Sequence, residues 1–335
     1  MAYEDGEGIR SPLRYIGSKR RLAARITAVM DSHTCYVEPF GGSAAILLAK
    51  AQSPTEIYND YDGRLVNFFR VCRDDGQRLV EYLRLLPFSR EEFDRYRKME
   101  LEDITDPLHQ AAAYFFMNRT SFASKQHGQN FGYGITASPS KSYASAIECI
   151  PQFAARLLSV TIEHRHWSEI IDVYDRPDTL FYCDPPYWGA EKIYKAEMSA
   201  SEHVELAERL SRIQGKAMMS YYAGPEVEAM YGPSGLDWQL RTYHITKGIG
   251  KENASDKEGG TARYPVATEV LYSSRARTFS FESLWHDDVE IIEGDTSEDF
   301  PEDLLADFLP AGPVALSPEP LSPEALPLEE LALQI

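Results

Sequence analysis

Asp184-Pro185-Pro186-Tyr187 stands directly behind the apolar run DTLFYC, and no other four residues of the chain are so well suited to chemistry. A strand that ends in Asp-Pro-Pro-aromatic delivers a carboxylate and a backbone carbonyl to the carboxyl edge of a sheet, where open α/β folds bind ligands. The prolines fix the backbone, so both acceptors are aimed in advance. The chemistry such a pair serves is activation of an aromatic amine. An adenine amine is a poor nucleophile because its lone pair is delocalised into the ring. The Asp184 carboxylate and the Pro185 carbonyl would hold its hydrogens and favour a more tetrahedral nitrogen. The Tyr187 ring offers a surface on which an extruded base can stack. Alone, the four residues also fit a proline turn after a buried strand, with Asp184 as a cap.

Three further segments argue against that bland reading. Glu38-Pro39-Phe40-Gly41-Gly42-Ser43 follows the apolar run CYV and opens a helical pattern, where glycines let a ligand approach the backbone. Asp60 closes the next strand-like run, TEIYND, 18 residues after Gly42. That is near the usual separation for a carboxylate that binds ribose hydroxyls. Tyr15-Ile16-Gly17-Ser18-Lys19 precedes both, where an aromatic ring and a cation could fold over a bound cofactor.

The elements that must position these residues alternate. CYVEPF and TEIYND read as strands, GGSAAILLAKAQ and GRLVNFFRVCRD as helices, and YIGSKRRLAARITAVM as a glycine turn followed by a basic helix. This order implies a parallel sheet. From about Gly76 to Ala154 the pattern changes. EEFDRYRKME and PLHQAAAYFFMN look helical, and ASKQHGQNFGYGITASPSKSYAS reads as a long glycine- and serine-rich loop of the kind that binds something. The α/β pattern resumes with LSVTIEH, HWSEIIDVY, DTLFYCDPPY, HVELAERLSRI and KAMMSYY, and ends with WQLRTYHI and ATEVLYS as an antiparallel pair at a sheet edge. The expected fold class is therefore α/β, with residues 1–75 and 155–280 as the catalytic domain and 76–154 as a mainly helical insert.

Charge is distributed unevenly. The formal net charge is −18, but residues 279–335 hold 15 of the 52 acidic side chains and none of the 34 basic ones. The rest of the chain is close to balanced. Arg10, Arg14, Lys19, Arg20, Arg21 and Arg25 crowd one short segment that could meet phosphates. Residues 287–335 are acidic and carry seven prolines, which reads as a disordered tail. With 43% hydrophobic residues the chain can build a real core, yet it has no apolar run of about 18 residues for a membrane span. Its start is acidic rather than a secretory signal. The four cysteines, Cys35, Cys72, Cys149 and Cys183, stand far apart, which speaks against a zinc site or disulfide framework and for reduced thiols in the cytoplasm.

In this order the segments LRYIGSK, YVEPFGGSAAILL, IYNDYDGRLVNFF, FFMNRTSF, LFYCDPPY and GGTARYPVATEVLY resemble the Dam-type family of DNA adenine methyltransferases, over roughly Leu13 to Ser273. The resemblance implies a Rossmann-like S-adenosylmethionine methyltransferase sheet, with 76–154 as a DNA target-recognition insert. It implies that Tyr15, Lys19, Asp60 and Asp184 contact S-adenosylmethionine, with Phe40 and Gly42 shaping the pocket, and that Asp184, Pro185 and Tyr187 carry catalysis without a metal. Asn118, Arg119 and the following loop with Lys125 would face double-stranded DNA. Two positions depart from the family pattern: Ala44 replaces a second glycine, and only Arg263 remains of a basic cluster after GGT. DNA affinity would then lean on the amino-terminal basic patch, Lys125 and Lys141. A monomer with no membrane contact is expected, its tail open to a protein partner such as a restriction endonuclease. Methylation of the cytosine amine, which needs the same geometry, and a non-catalytic DNA-binding relative stay open as alternatives.

Overall fold

The strands are short, apolar and alternate between two faces, so each must be covered on both sides. The computed structural model describes residues 9–15, 17–121, 130–132, 138–187, 198–233, 235–236, 238–246, 266–274 and 291–292. Its strands are β1 (Cys35–Glu38), β2 (Thr55–Asn59), β3 (Val160–Glu163), β4 (Thr179–Cys183), β5 (Lys216–Tyr222), β6 (Gln239–Thr246), β7 (Val266–Ser273) and β8 (Ile291–Ile292). They form one sheet in the order β3-β2-β1-β4-β5-β7-β6-β8. The first five are mutually parallel, β7 runs antiparallel to both β5 and β6, and β8 pairs parallel with β6. The expected antiparallel pair is present, with β8 beyond it.

Tyr36, Tyr58, Leu180, Tyr182 and Met218 point into one core, while Val37, Ile57, Phe181, Cys183 and Met219 point into the other. On the first face lie α1 (Ala23–Ala28), α2 (Ala45–Ala49), α3 (Gly63–Leu85) and the insert helices. On the second lie α8 (Trp167–Tyr174), α9 (Ala200–Leu210) and α10 (Pro225–Tyr231). This is a doubly wound, Rossmann-like arrangement. The chain runs outward from β1 to β2 and β3, then returns to β4 on the other side of β1. The loops after β1 and β4 therefore diverge, and a crevice opens between them.

Helices that follow α3 pack on it; the backbone of α3 leaves helical geometry at Asp75 (φ −140°, ψ 30°), next to the expected start of the insert, and α3 itself continues across that boundary to Leu85. Helices α4 (Arg90–Arg97), α5 (Pro107–Thr120), α6 (Pro139–Glu148) and α7 (Ile150–Leu157) follow. Asp106 caps α5 by accepting from the His109 N–H, with Pro107 in the first turn. Ala111 to Met117 are all buried, so α5 is enclosed on every side rather than amphipathic. It joins the same core as the sheet through Phe68, Phe69, Phe115 and Phe153.

Two local expectations change. The helix foreseen from Gly41 begins only at Ala45, because Gly42 (φ 49°) and Ala44 (φ 58°) are left-handed and hold the preceding residues in a loop. The basic helix after Gly17 is a 3-10 turn, Lys19–Arg21, followed by the short α1. Among the described residues, no helix is long and apolar enough to cross a membrane. Apart from Ile291 and Ile292, the tail 287–335 lies outside the described residues, as do Arg263 and most of the loop after α5.

Candidate active site

The crevice is bounded by the loop after β1. Gly41 donates its N–H to the Asn59 carbonyl at 2.7 Å, and a Cβ there would lie 2.2 Å from the Tyr58 ring, so only glycine fits. The Tyr58 hydroxyl donates to the Gly42 carbonyl at 2.8 Å. A Cβ on Gly42 would lie 3.3 Å from the Tyr15 ring, which places that ring beside the glycine loop, and Ser18 and Ser43 hydroxyls meet at 3.0 Å. The amino-terminal segment thus folds against this loop, as the positions of Tyr15 and Lys19 in the sequence suggested. Phe40 lines the same crevice, with its ring 6.1 Å from that of Trp167.

Asp60 follows β2. Its two carboxylate oxygens accept the N–H groups of Gly42 at 2.8 Å and Asp62 at 2.9 Å, so it is held rigid and retains lone pairs for a further donor. Burial pushes its carboxyl up to about 6. Glu38, at the end of β1, lines the crevice too. One oxygen accepts the Tyr36 hydroxyl and the Leu47 N–H, each at 2.8 Å. Burial pushes this carboxyl up to about 8. In the sequence Glu38 stands out only as part of its motif; an acid that ends an otherwise apolar strand is the available signal.

Asp184 faces this wall from the end of β4. Lys19 Nζ lies 2.8 Å from each of its oxygens, 3.0 Å from the Gly17 carbonyl and 3.2 Å from Glu269 Oε1. Burial raises the Asp184 carboxyl to about 6, and Lys19 only partly offsets this because Glu269 pushes the other way. Lys19 thus lines the crevice, but its ammonium is bound to protein carboxylates. Pro185 and Pro186 line the crevice, whereas Tyr187 is buried behind it. Its hydroxyl donates to Glu269, its ring stacks on Tyr221 at 4.8 Å, and Lys19 Nζ sits 4.9 Å from the ring centre. The crevice encloses about 870 Å³, its open mouth included. Tyr15, Lys19, Phe40, Gly42, Asp60, Asp184 and Pro185 all come together there.

The residues expected on the DNA side behave differently. Asn118 accepts the Arg14 N–H at 2.9 Å and donates to the Arg14 carbonyl at 2.7 Å, which fastens α5 to the amino-terminal segment. Arg119 donates to the Ser142 carbonyl and hydroxyl, and Arg14 shares that hydroxyl at 2.9 Å. Both side chains thus make contacts within the fold. Arg20, Arg21 and Lys141 are exposed, and Lys125 lies outside the described residues. Among the described residues, no group of three or more His, Cys, Asp or Glu is placed to hold a metal.

Known proteins are similar to this chain in sequence. A DNA N-6-adenine-methyltransferase from Escherichia phage P1 is 24% identical over 68% of this chain and 32% of its own length. A DNA adenine methylase from Haemophilus influenzae is 21% identical over 52% of this chain and 63% of its own. The type II methyltransferase M1.LlaDCHI from Lactococcus lactis subsp. cremoris is 23% identical over 74% of this chain and 92% of its own. The chain thus spans about a third of the phage protein and less than two thirds of the Haemophilus one. The family model for D12 class N6 adenine-specific DNA methyltransferases matches residues 15–236, from the Tyr15 that borders the glycine loop, through Asp60 and the Asp-Pro-Pro-Tyr turn, to the loop after α10. This chain belongs to the D12 class N6 adenine-specific DNA methyltransferase family.

Proposed function

We propose that the protein transfers a methyl group from S-adenosylmethionine to the exocyclic amine of adenine in double-stranded DNA. The observation that carries this reading is the placement of Asp184 and Pro185 across one crevice from the glycine loop and Asp60. The crevice fits the cofactor in charge and shape. Acidic side chains of Glu38, Asp60, Asp62 and Asp184 line it against the single ammonium of Lys19, and among the described residues Asp60 and Asp184 have no guanidinium partner of the kind Arg64 gives Asp62, which suits a ligand bearing a sulfonium and an amino group. Gly42 leaves the backbone open to close approach beside the Tyr15 ring. In this reading Asp60 accepts the ribose hydroxyls, Tyr15, Phe40 and Gly42 border the nucleoside, and bound S-adenosylmethionine supplies an electrophilic methyl group.

The chain's own residues then act on the amine. Asp184 and the Pro185 carbonyl accept its two hydrogens, which localises the nitrogen lone pair. Because the prolines fix the turn, these acceptors need no reorganisation. The nitrogen loses one proton on methylation, and the Asp184 carboxylate lies at hand to take it. Tyr187 supports the turn from behind, held there by Glu269. Exposed Arg20, Arg21 and Lys141 supply phosphate contacts, with Lys125 and the loop around it reading the groove, while Asn118 holds the insert to the amino-terminal segment and Arg119 ties α5 to α6. The protein acts as a monomer in the cytoplasm, its acidic tail open to a partner such as a restriction endonuclease.

DNA from cells that express the protein, sequenced with a readout of modified bases, tests this directly. The expected result is N6-methyladenine at every copy of one short sequence. Methylated cytosine amines instead, or no modified base from folded protein, would overturn it.

A further inference from the structure

Glu269 sits in the middle of β7, in the apolar run VATEVLY, and is only 2% exposed. A lone carboxylate buried in a strand is costly unless it is paired. Here Oε1 alone receives the Tyr187 hydroxyl, the Ser220 hydroxyl at 3.1 Å and the Lys19 ammonium at 3.2 Å. Lys19 is the same ammonium that faces both oxygens of Asp184. One cation therefore serves two carboxylates, and the second of them holds the last residue of the Asp-Pro-Pro-Tyr turn.

We propose that Glu269 is a positioning residue for Asp184: it draws part of the Lys19 ammonium to itself and fixes Tyr187, leaving Asp184 with acceptor strength for the substrate amine. A carboxylate wholly satisfied by a buried ammonium is a weak acceptor for a neutral N–H. Sharing the ammonium keeps Asp184 in place without quenching it. Other groups also face this pair. Glu38 from β1 and Tyr182 and Cys183 from β4 interact with Asp184, and Tyr182 and Tyr187 interact with Glu269. The upward push of Glu269 on the Asp184 carboxyl agrees with this division of the ammonium.

The inference rests on Asp184 being the catalytic acceptor, and its test separates the two claims. Methyl incorporation from labelled S-adenosylmethionine into bacteriophage DNA free of adenine methylation is followed against pH for the full chain. In Glu269→Gln a negative neighbour is gone, so Asp184 holds its charge to lower pH. The acidic limb of the kcat profile should move down by about one unit, while plateau kcat falls about tenfold as Tyr187 and Lys19 lose their anchor. Glu269→Asp, whose charge retreats by one methylene, should move the limb down by a few tenths of a unit and keep most of the plateau. Should the glutamine variant fail to fold, the aspartate variant decides. A limb that stays put or rises, or an unchanged plateau in Glu269→Gln, overturns the proposal. Asp184→Asn is assayed in parallel. Retained turnover there removes the reading on which the inference stands, whereas an inactive Asp184→Asn beside an unmoved limb in Glu269→Gln removes Glu269 alone.

Discussion

Two buried ion clusters in this fold are built on opposite ratios of charge. At the outer end of β2, the single carboxylate of Glu56 meets two cations, Lys50 at 2.6 Å and Arg156 at 2.5 Å. At the carboxyl end of β4, the single cation Lys19 meets two carboxylates, Asp184 and Glu269. Burial acts on both clusters in the same sense, yet the outcomes differ. The Glu56 carboxyl is held below its ordinary range because two cations and the Ser53 N–H outweigh its burial. The Asp184 carboxyl is raised because one shared ammonium does not. The first cluster fastens α7 to the sheet, and Arg156 also donates to the Leu47 carbonyl at 2.8 Å. The second leaves charge uncompensated beside an open crevice. Excess compensation marks a staple, and a deficit marks a place that awaits a ligand.

The contrast can be broken first at the staple. Glu56→Ala would leave Lys50 and Arg156 buried without their anion, at a cost of about 3–5 kcal/mol. Urea denaturation should show that loss, while methyl transfer per folded molecule stays near normal. The crevice side should respond in the reverse way. Asp60→Ala removes a carboxylate that is held by backbone N–H groups and raised by burial, so stability should change little. Calorimetry should show S-adenosylmethionine affinity lowered about tenfold to a hundredfold, or about 1.4–2.8 kcal/mol, in the absence of DNA. Unchanged cofactor binding with weakened DNA binding would reverse the role of Asp60.

A smaller effect should appear in pH dependence. A carboxyl raised in the folded state contributes stability that is complete below its unfolded value and is lost as pH rises through the folded one. For Glu38 that window runs from its ordinary 4.5 to about 8. The cofactor-free protein should therefore lose stability across this range, and Glu38→Gln should flatten most of that loss. An equally steep loss in the variant would place the sensitivity elsewhere. The smallest effect belongs to Ala44, a non-glycine residue at φ 58°. Ala44→Gly should raise stability by about 1 kcal/mol, read as a shift of the urea midpoint, because the left-handed conformation carries no Cβ penalty in glycine. A midpoint that falls would mean the Ala44 methyl contributes more by packing than it costs in strain.

Much of the site was legible because its parts follow strands in chain order. Asp60 and Asp184 each stand one residue past a strand, and the glycines at residues 41 and 42 mark the loop that follows the first strand. Glu269 was not legible as a site residue, since it reaches Tyr187 across 82 positions of sequence and only strand pairing brings it there. The hint available was a single charge within an apolar strand. Asn118 and Arg119 illustrate a different limit. Polar residues at the end of a helix before a long loop look outward in sequence, but the amino-terminal segment takes up the hydrogen bonds of Asn118 and α6 takes up those of Arg119. The late start of α2 was hidden for a backbone reason, because nothing in the sequence Gly-Gly-Ser-Ala announces that the alanine is left-handed.

The single-turnover rate of methyl transfer in Asp184→Ala, at saturating S-adenosylmethionine and DNA, bears most directly on the central claim. If Asp184 is the acceptor that readies the adenine amine, the rate should fall about a thousandfold or more, or about 4 kcal/mol on the barrier, while a cooperative thermal transition is retained. A rate within about tenfold of the parent enzyme, or about 1.4 kcal/mol, would contradict it.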